Sequence, residues 1–359
     1  MGDRHHRDSA TAAFAFTGNW RAFAPIAFTN LLLTIVTLGI YSFWAKTRER
    51  RYLWSQTRFI DDRLAWTGTG LELLLGYLIA FGLILVPITI LNLTAQGLVL
   101  RGNTGAAALL GVTLYIGLLI LIGVARFRAL RYRLSRTYWH GIRGGSDDPG
   151  LRYGVSYLWR TAVGALALGL MVPWSMTTLW NRRWNKMSFG PLAFASAARW
   201  QPVFKRYILF YLVPFVLFFV GLAVAFSFAA SGPIERTATT FGVLGVLAVI
   251  GFYVVLGLIA VSFYAAFFRE GVRGLTLGSL DFAFEARTKD WLKLFLGDIA
   301  LVVCTLGIGY IFLGYRHWSF FIRYLEAYGE VDLDTMTQSA TRAPGQGEGL
   351  LDAFDVGAF

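Results

Sequence analysis

The chain has 359 residues, 56% of them hydrophobic and only 15% charged, with a mean hydropathy of +0.55 and a formal net charge of +12. So few charges cannot cover the surface of a soluble protein of this size. The single cysteine, Cys304, excludes an internal disulfide and a cysteine ligand cluster.

The N-terminal stretch MGDRHHRDSATAAF is polar and lacks the apolar core of a cleavable signal, so the first apolar segment is expected to direct insertion. Seven apolar segments follow, at 22–44, 71–93, 106–125, 155–175, 207–230, 241–265 and 292–315. A membrane span needs about 20 such residues. Backbone groups in lipid must be satisfied internally, and no long alternation marks a barrel, so these segments read as helices. The predicted class is an all-α polytopic membrane protein.

Three phrases recur: TLGIYSFW at 37–44, ALGLMVPW at 167–174 and TLGIGYIF at 305–312. Aligned on Gly39, Gly169 and Gly307, they place Trp44, Trp174 and Phe312 at one position, and Trp54 and Trp184 at another. Spacings of 130 and 138 residues between the glycines mark a long tandem repeat. The units run over about 14–66, 144–195 and 282–330, with helical hairpins at about 71–125 and 207–265 between them. One embedded domain, 1–336, and a flexible tail, 337–359, complete the expected organisation.

After each glycine the chain turns aromatic and basic. Trp44, Arg48, Arg51, Trp54, Trp174, Arg182, Arg183, Trp184 and Arg316 are the residues expected at the headgroup level, joined by Arg131 of the arginine ladder 126–136. The glycines read as hinges between a buried helix and an interfacial one, or else as ordinary helix ends. Alternating pieces around Asp61–Asp62 and Gly190–Pro191 read as short β-hairpins, expected on the cytoplasmic side.

Loop charges give the topology. Residues 45–71, 126–154 and 174–206 are basic, whereas 96–105 holds only Arg101. The positive-inside rule puts the basic loops in the cytoplasm, facing anionic lipid rather than nucleic acid. Yet 155–175 lies between two basic loops. Either the repeat units re-enter and return to one face, or all seven segments cross and one loop breaks the rule. The class thus comprises four clear spans in two hairpins plus three spanning or re-entrant units.

Nine residues before each glycine stand Asn30, Arg160 and Asp298. Converging around a pseudo-symmetric centre, they could form an ion or proton relay; they could equally be interhelical glue. TGTGLE at 67–72 lacks the ending of a phosphate loop and reads as a turn before a helix. No metal-ligand spacing, cofactor motif or catalytic triad is present, so an enzyme is not expected.

The phrases LLLTIVTLGIYSFWAKTRERRYLW, FIDDRLAWTGTGLELLLGYLIA and RYRLSRTYWHGIRGG resemble the YjgN-like family of bacterial inner-membrane proteins. The resemblance implies a multi-pass inner-membrane location and carries no catalytic residues. It leaves two functional expectations: a permease-like or channel-like protein with a polar centre, or a non-enzymatic scaffold that binds lipid.

Overall fold

A computed structural model describes residues 12–230 and 237–342. Its organising element is a run of short antiparallel strands. They are β1 (Phe14–Phe16), β2 (Thr57–Phe59), β3 (Asp62–Arg63), β4 (Ala65–Trp66), β5 (Thr137–Trp139) and β6 (Ile142–Gly145), followed by β7 (Ser188–Phe189), β8 (Leu192–Ser196), β9 (Leu275–Leu277), β10 (Leu280–Phe284) and β11 (Leu325–Tyr328). Each strand pairs with the next from β1 to β3 and from β4 to β11. Leu64, between β3 and β4, donates its N–H to Thr57 O at 2.9 Å and so joins the two sheets. The ends of the meander approach each other, with the Phe14 and Phe282 rings 6.4 Å apart. Phe59, Trp139, Ile142, Phe189, Phe194, Leu277 and Leu280 fill one core within this curl.

The connections alternate in kind. Tight turns link β2 to β3, β5 to β6, β7 to β8 and β9 to β10. The β5–β6 turn has positive φ at both His140 (49°) and Gly141 (72°), the primed geometry whose twist suits a two-residue hairpin. At the other end every connection is a pair of helices. The first pair is α1 (Trp20–Val36) with α2 (Ser42–Ser55). The second is α3 (Gly70–Ala80) and α4 (Val86–Leu100), returning through α5 (Thr104–Arg136). The third is α6 (Leu151–Ala165) with α7 (Val172–Trp184). The fourth is α8 (Gln201–Tyr207) and α9 (Leu209–Ala230) with α10 (Thr237–Arg273), and the fifth is α11 (Thr288–Cys304) with α12 (Leu313–Tyr324).

The strands flanking each helical pair bond to each other, so every pair leaves and rejoins the same sheet. Thr104–Arg136, Gln201–Ser227 and Gly245–Arg273 are long and apolar enough to cross a membrane. The expected span at 71–93 is divided by a π-helical turn at Phe81–Leu85. Pro87 explains the interruption, because it has no N–H for the carbonyl one turn back. The expected spans at 22–44, 155–175 and 292–315 are likewise broken, at 37–41, 166–171 and 305–312.

Of the expected tail 337–359, residues 337–342 are described. Gln338 Nε2 donates to Gly141 O at 2.8 Å, Arg143 N–H donates to Gln338 Oε1 at 3.1 Å, and Arg342 N–H donates to Asp147 Oδ1 at 2.9 Å. Residues 337–342 are therefore fastened across the turn end of the sheet, through the Gln338 side chain on the β5–β6 turn and β6 and through the Arg342 backbone on the loop after β6. Residues 343–359 lie outside the described residues.

Candidate functional site

The three repeat glycines sit at the tips of the first, third and fifth helical pairs. Gly39, Gly169 and Gly307 have φ of 94°, 84° and 93°, and the leucine before each is also left-handed, Leu38 at 50°, Leu168 at 57° and Leu306 at 51°. A left-handed turn costs an L-residue about 1–2 kcal/mol. Three leucines adopt it at equivalent places, and each is 88–94% exposed. These exposed, strained leucines form the outermost point of each short pair. The sequence carried a signal for them, since all three phrases read Leu-Gly.

A turn placed in lipid must satisfy its own backbone. In the first unit Gly39 N–H reaches Thr34 O at 2.8 Å and Leu38 N–H reaches Ile35 O at 3.1 Å. The Thr37 hydroxyl donates to Leu33 O at 2.7 Å and accepts Tyr41 N–H at 2.9 Å. The third unit repeats this with Gly307 to Val302, Leu306 to Val303, and Thr305 bonded to Leu301 O and Gly309 N, both at 2.6 Å. Position 167 is alanine, so the second unit is served from outside: Tyr207 Oη donates to Gly169 O at 3.0 Å and Tyr211 Oη to Leu168 O at 2.5 Å.

The three polar positions behave separately. Asn30 is buried and its amide donates to Ala45 O at 3.1 Å within its own unit. Asp298 is buried and held by Arg316 Nε at 2.6 Å and His317 Nε2 at 2.7 Å, both from α12. Arg160 lies over the Trp159 ring, 4.4 Å from its centroid, and its Nε and Nη1 have no hydrogen-bond partner. Among the described residues no ion pair joins Arg160 to Asp298. The acid finds its partners, the Arg316 guanidinium and the His317 ring, eighteen and nineteen residues on, in the returning helix, rather than in a neighbouring unit.

The aromatic and basic residues divide into two groups. Arg48, Arg51 and Arg182 are exposed, and Trp44, Trp174, Trp184 and Arg316 are half-buried. Trp54, Arg131 and Arg183 are buried and contact other parts of the protein. Trp54 stacks on Trp318 at 4.0 Å and donates to Thr137 Oγ1 at 2.9 Å. Arg131 donates to Asp148 O at 2.8 Å, and Arg183 lies 5.7 Å from the Trp180 ring centroid. Trp318 also donates to Thr57 Oγ1 at 2.9 Å, and Tyr315 to Gly18 O at 2.8 Å, so the first and third units pack together. Away from the helices, His140 Nε2 meets Asp61 Oδ1 at 3.0 Å, and this bond holds the Asp61 carboxyl below its ordinary value of 3.8.

Helices able to cross a bilayer, standing on a run of short antiparallel strands, define a helical membrane protein. The chain belongs to a family described as bacterial protein of unknown function (DUF898), whose model matches residues 11–353. It is similar to the Inner membrane protein YjgN of Salmonella typhimurium strain LT2, 28% identical over 139 residues, which is 39% of this chain and 32% of that protein. It is also similar to the proteins of that name from Escherichia coli O157:H7, 28% identical over 137 residues (38% and 31%), and strain K12, 27% over 136 residues (38% and 31%). The matched stretch thus spans about a third of the length of these curated relatives. No solved structure matches the chain.

Proposed function

We propose that this protein is a non-enzymatic scaffold of the bacterial inner membrane, with its sheet and basic helix ends on the cytoplasmic side. Two helical hairpins cross the bilayer. Three short pairs wedge into the leaflet nearest the sheet and grip its anionic headgroups with Arg48, Arg51 and Arg182.

The observation that carries this reading is the repeated exposed leucine at a turn whose backbone is hydrogen-bonded within the protein, on a helical pair whose two ends share one sheet. Dimensions agree with it. In α5 the first charge is Arg126, leaving the 22 residues 104–125 apolar, about 33 Å at 1.5 Å each. That length crosses a hydrocarbon core of about 30 Å. Arg126 stands ten residues above the end of its helix, and Lys46 stands nine above the end of α2. Asn30 bonds Ala45 O beside that level, and from there to the tip of the first pair residues 30–36 add about 10 Å, a third of the core. A passage role needs a shared polar centre, whereas Asp298 is neutralised inside its own unit. The scaffold needs none.

Spin labels at Leu38→Cys and Leu306→Cys, in a Cys304→Ala background in liposomes, test the reading. Collision with oxygen should exceed collision with a water-soluble nickel chelate at both sites. Labels freely reached by the chelate would overturn it.

A further inference from the structure

Beside the Asp298 pair, between α11 and α12, lies a cavity of about 440 Å³. Lys293, Arg316 and Arg323 line it together with Ser319, over an apolar floor of Leu294 and Phe320. Asp290 is the one acidic residue in the lining, and it is already engaged. Its carboxylate accepts the Arg287 N–H at 2.9 Å, at the start of α11, and lies beside Tyr324 in the lining. Lys293 and Arg323 are exposed and make no ion pair among the described residues.

Arg316 is different, because it is fixed. Asp298 takes its Nε, and the terminal nitrogens have only one long bond, Nη2 to Leu294 O at 3.4 Å. A guanidinium pinned through one edge presents its remaining donors in a set direction, the geometry that suits a planar or tetrahedral oxyanion. The combination belongs to the third unit alone. Counted from the repeat glycine, the places of Lys293, Arg316 and Arg323 hold Pro25, Arg48 and Ser55 in the first unit, and Val155, Thr178 and Asn185 in the second.

We propose that this cavity binds a phosphate group, carried by an anionic lipid headgroup or by a small soluble compound, between Arg316, Lys293 and Arg323, with Asp298 positioning Arg316. Three cations face two carboxylates, Asp290 in the lining and Asp298 behind Arg316, so one positive charge remains for an anion to balance. The volume falls in the range of small-ligand sites, about 300–1,000 Å³. Ser319 adds a hydroxyl, and the apolar floor accepts a glycerol-sized substituent. The lipid source rests on the scaffold reading, which puts this lower part of the helical pair at the headgroup level; the soluble source does not.

The purified full chain is tested in two arms. Glycerol 3-phosphate is titrated by calorimetry at low salt. Phosphatidylglycerol and phosphatidylcholine compete for retention in native mass spectrometry. The variant is Lys293→Gln with Arg323→Gln, two exposed positions whose change leaves the core intact. Binding should weaken about tenfold or more in whichever arm shows it. Asp298→Asn should weaken it too, with partial rescue by Asp298→Glu. A loss confined to the first arm assigns a soluble phosphate, and one confined to the second assigns a headgroup. Equal binding by wild type and double variant, or no binding in either arm, overturns the site. The depth of Leu38 and Leu306 is measured separately, so failure here and failure of the scaffold reading remain distinct.

Discussion

Thr37→Val and Thr305→Val test whether the tips are built to live in lipid. Valine keeps the shape of threonine and removes one hydroxyl. At Thr37 that hydroxyl is the acceptor for Tyr41 N–H at 2.9 Å, and at Thr305 it is the acceptor for Gly309 N–H at 2.6 Å. Leu33 O loses little, because Thr37 N–H also bonds it at 3.0 Å. Each substitution therefore strands one backbone donor, at a cost of about 1–3 kcal/mol. The sites belong to different units and share no partner, so the double variant should lose about 2–6 kcal/mol. Serine at either place keeps the bond and should cost under about 1 kcal/mol. Reversible unfolding in bicelles measures these losses. Valine variants within about 0.5 kcal/mol of wild type would refute the reasoning.

Gly39→Ala meets no atom within 4 Å, so its cost is backbone strain alone, about 1–2 kcal/mol, readable in the same unfolding assay. Asp298→Asn leaves Arg316 and His317 without their carboxylate and should destabilise by about 1.5–3 kcal/mol, the worth of a charge-assisted bond. Leu306→Asp puts a charge at a tip and should cost about 2.5–3.5 kcal/mol in bilayers, with the spin-label depth at Leu38 unchanged. Asp61 has a lowered carboxyl pKa, so its pairing with His140 stabilises above 3.8 and is lost as pH falls through the lower folded value. Asp61→Asn should therefore flatten the acid limb of an unfolding-versus-pH curve and leave the neutral region alone.

The membrane class was legible because long apolar runs are a strong signal, and the repeat because the Leu-Gly phrases keep their spacing. The meander was not. Strands of two to five residues carry too little pattern to show that β2 meets β3 and that β5 to β11 continue one sheet. Pairing of its two flanking strands is what makes each helical pair return. The polar triple Asn30, Arg160 and Asp298 was legible as a register, but register says nothing of partners. Arg316 and His317 lie on the returning helix, so Asp298 finds its partners locally. Burial of Trp54, Arg131 and Arg183 was equally hidden, since an arginine inside a basic run looks the same whether it faces solvent or a neighbouring backbone carbonyl.

Sidedness labelling in right-side-out and inverted vesicles addresses the central claim. Single cysteines replace Arg21 and Arg63, Arg152 and Lys186, and Lys289 and Glu330, one pair flanking each short helical pair, in a Cys304→Ala chain. A membrane-impermeant maleimide should reach all six from the same side. Labelling of Arg152→Cys from one face and Lys186→Cys from the other would mean that the second pair crosses the bilayer, contradicting the account.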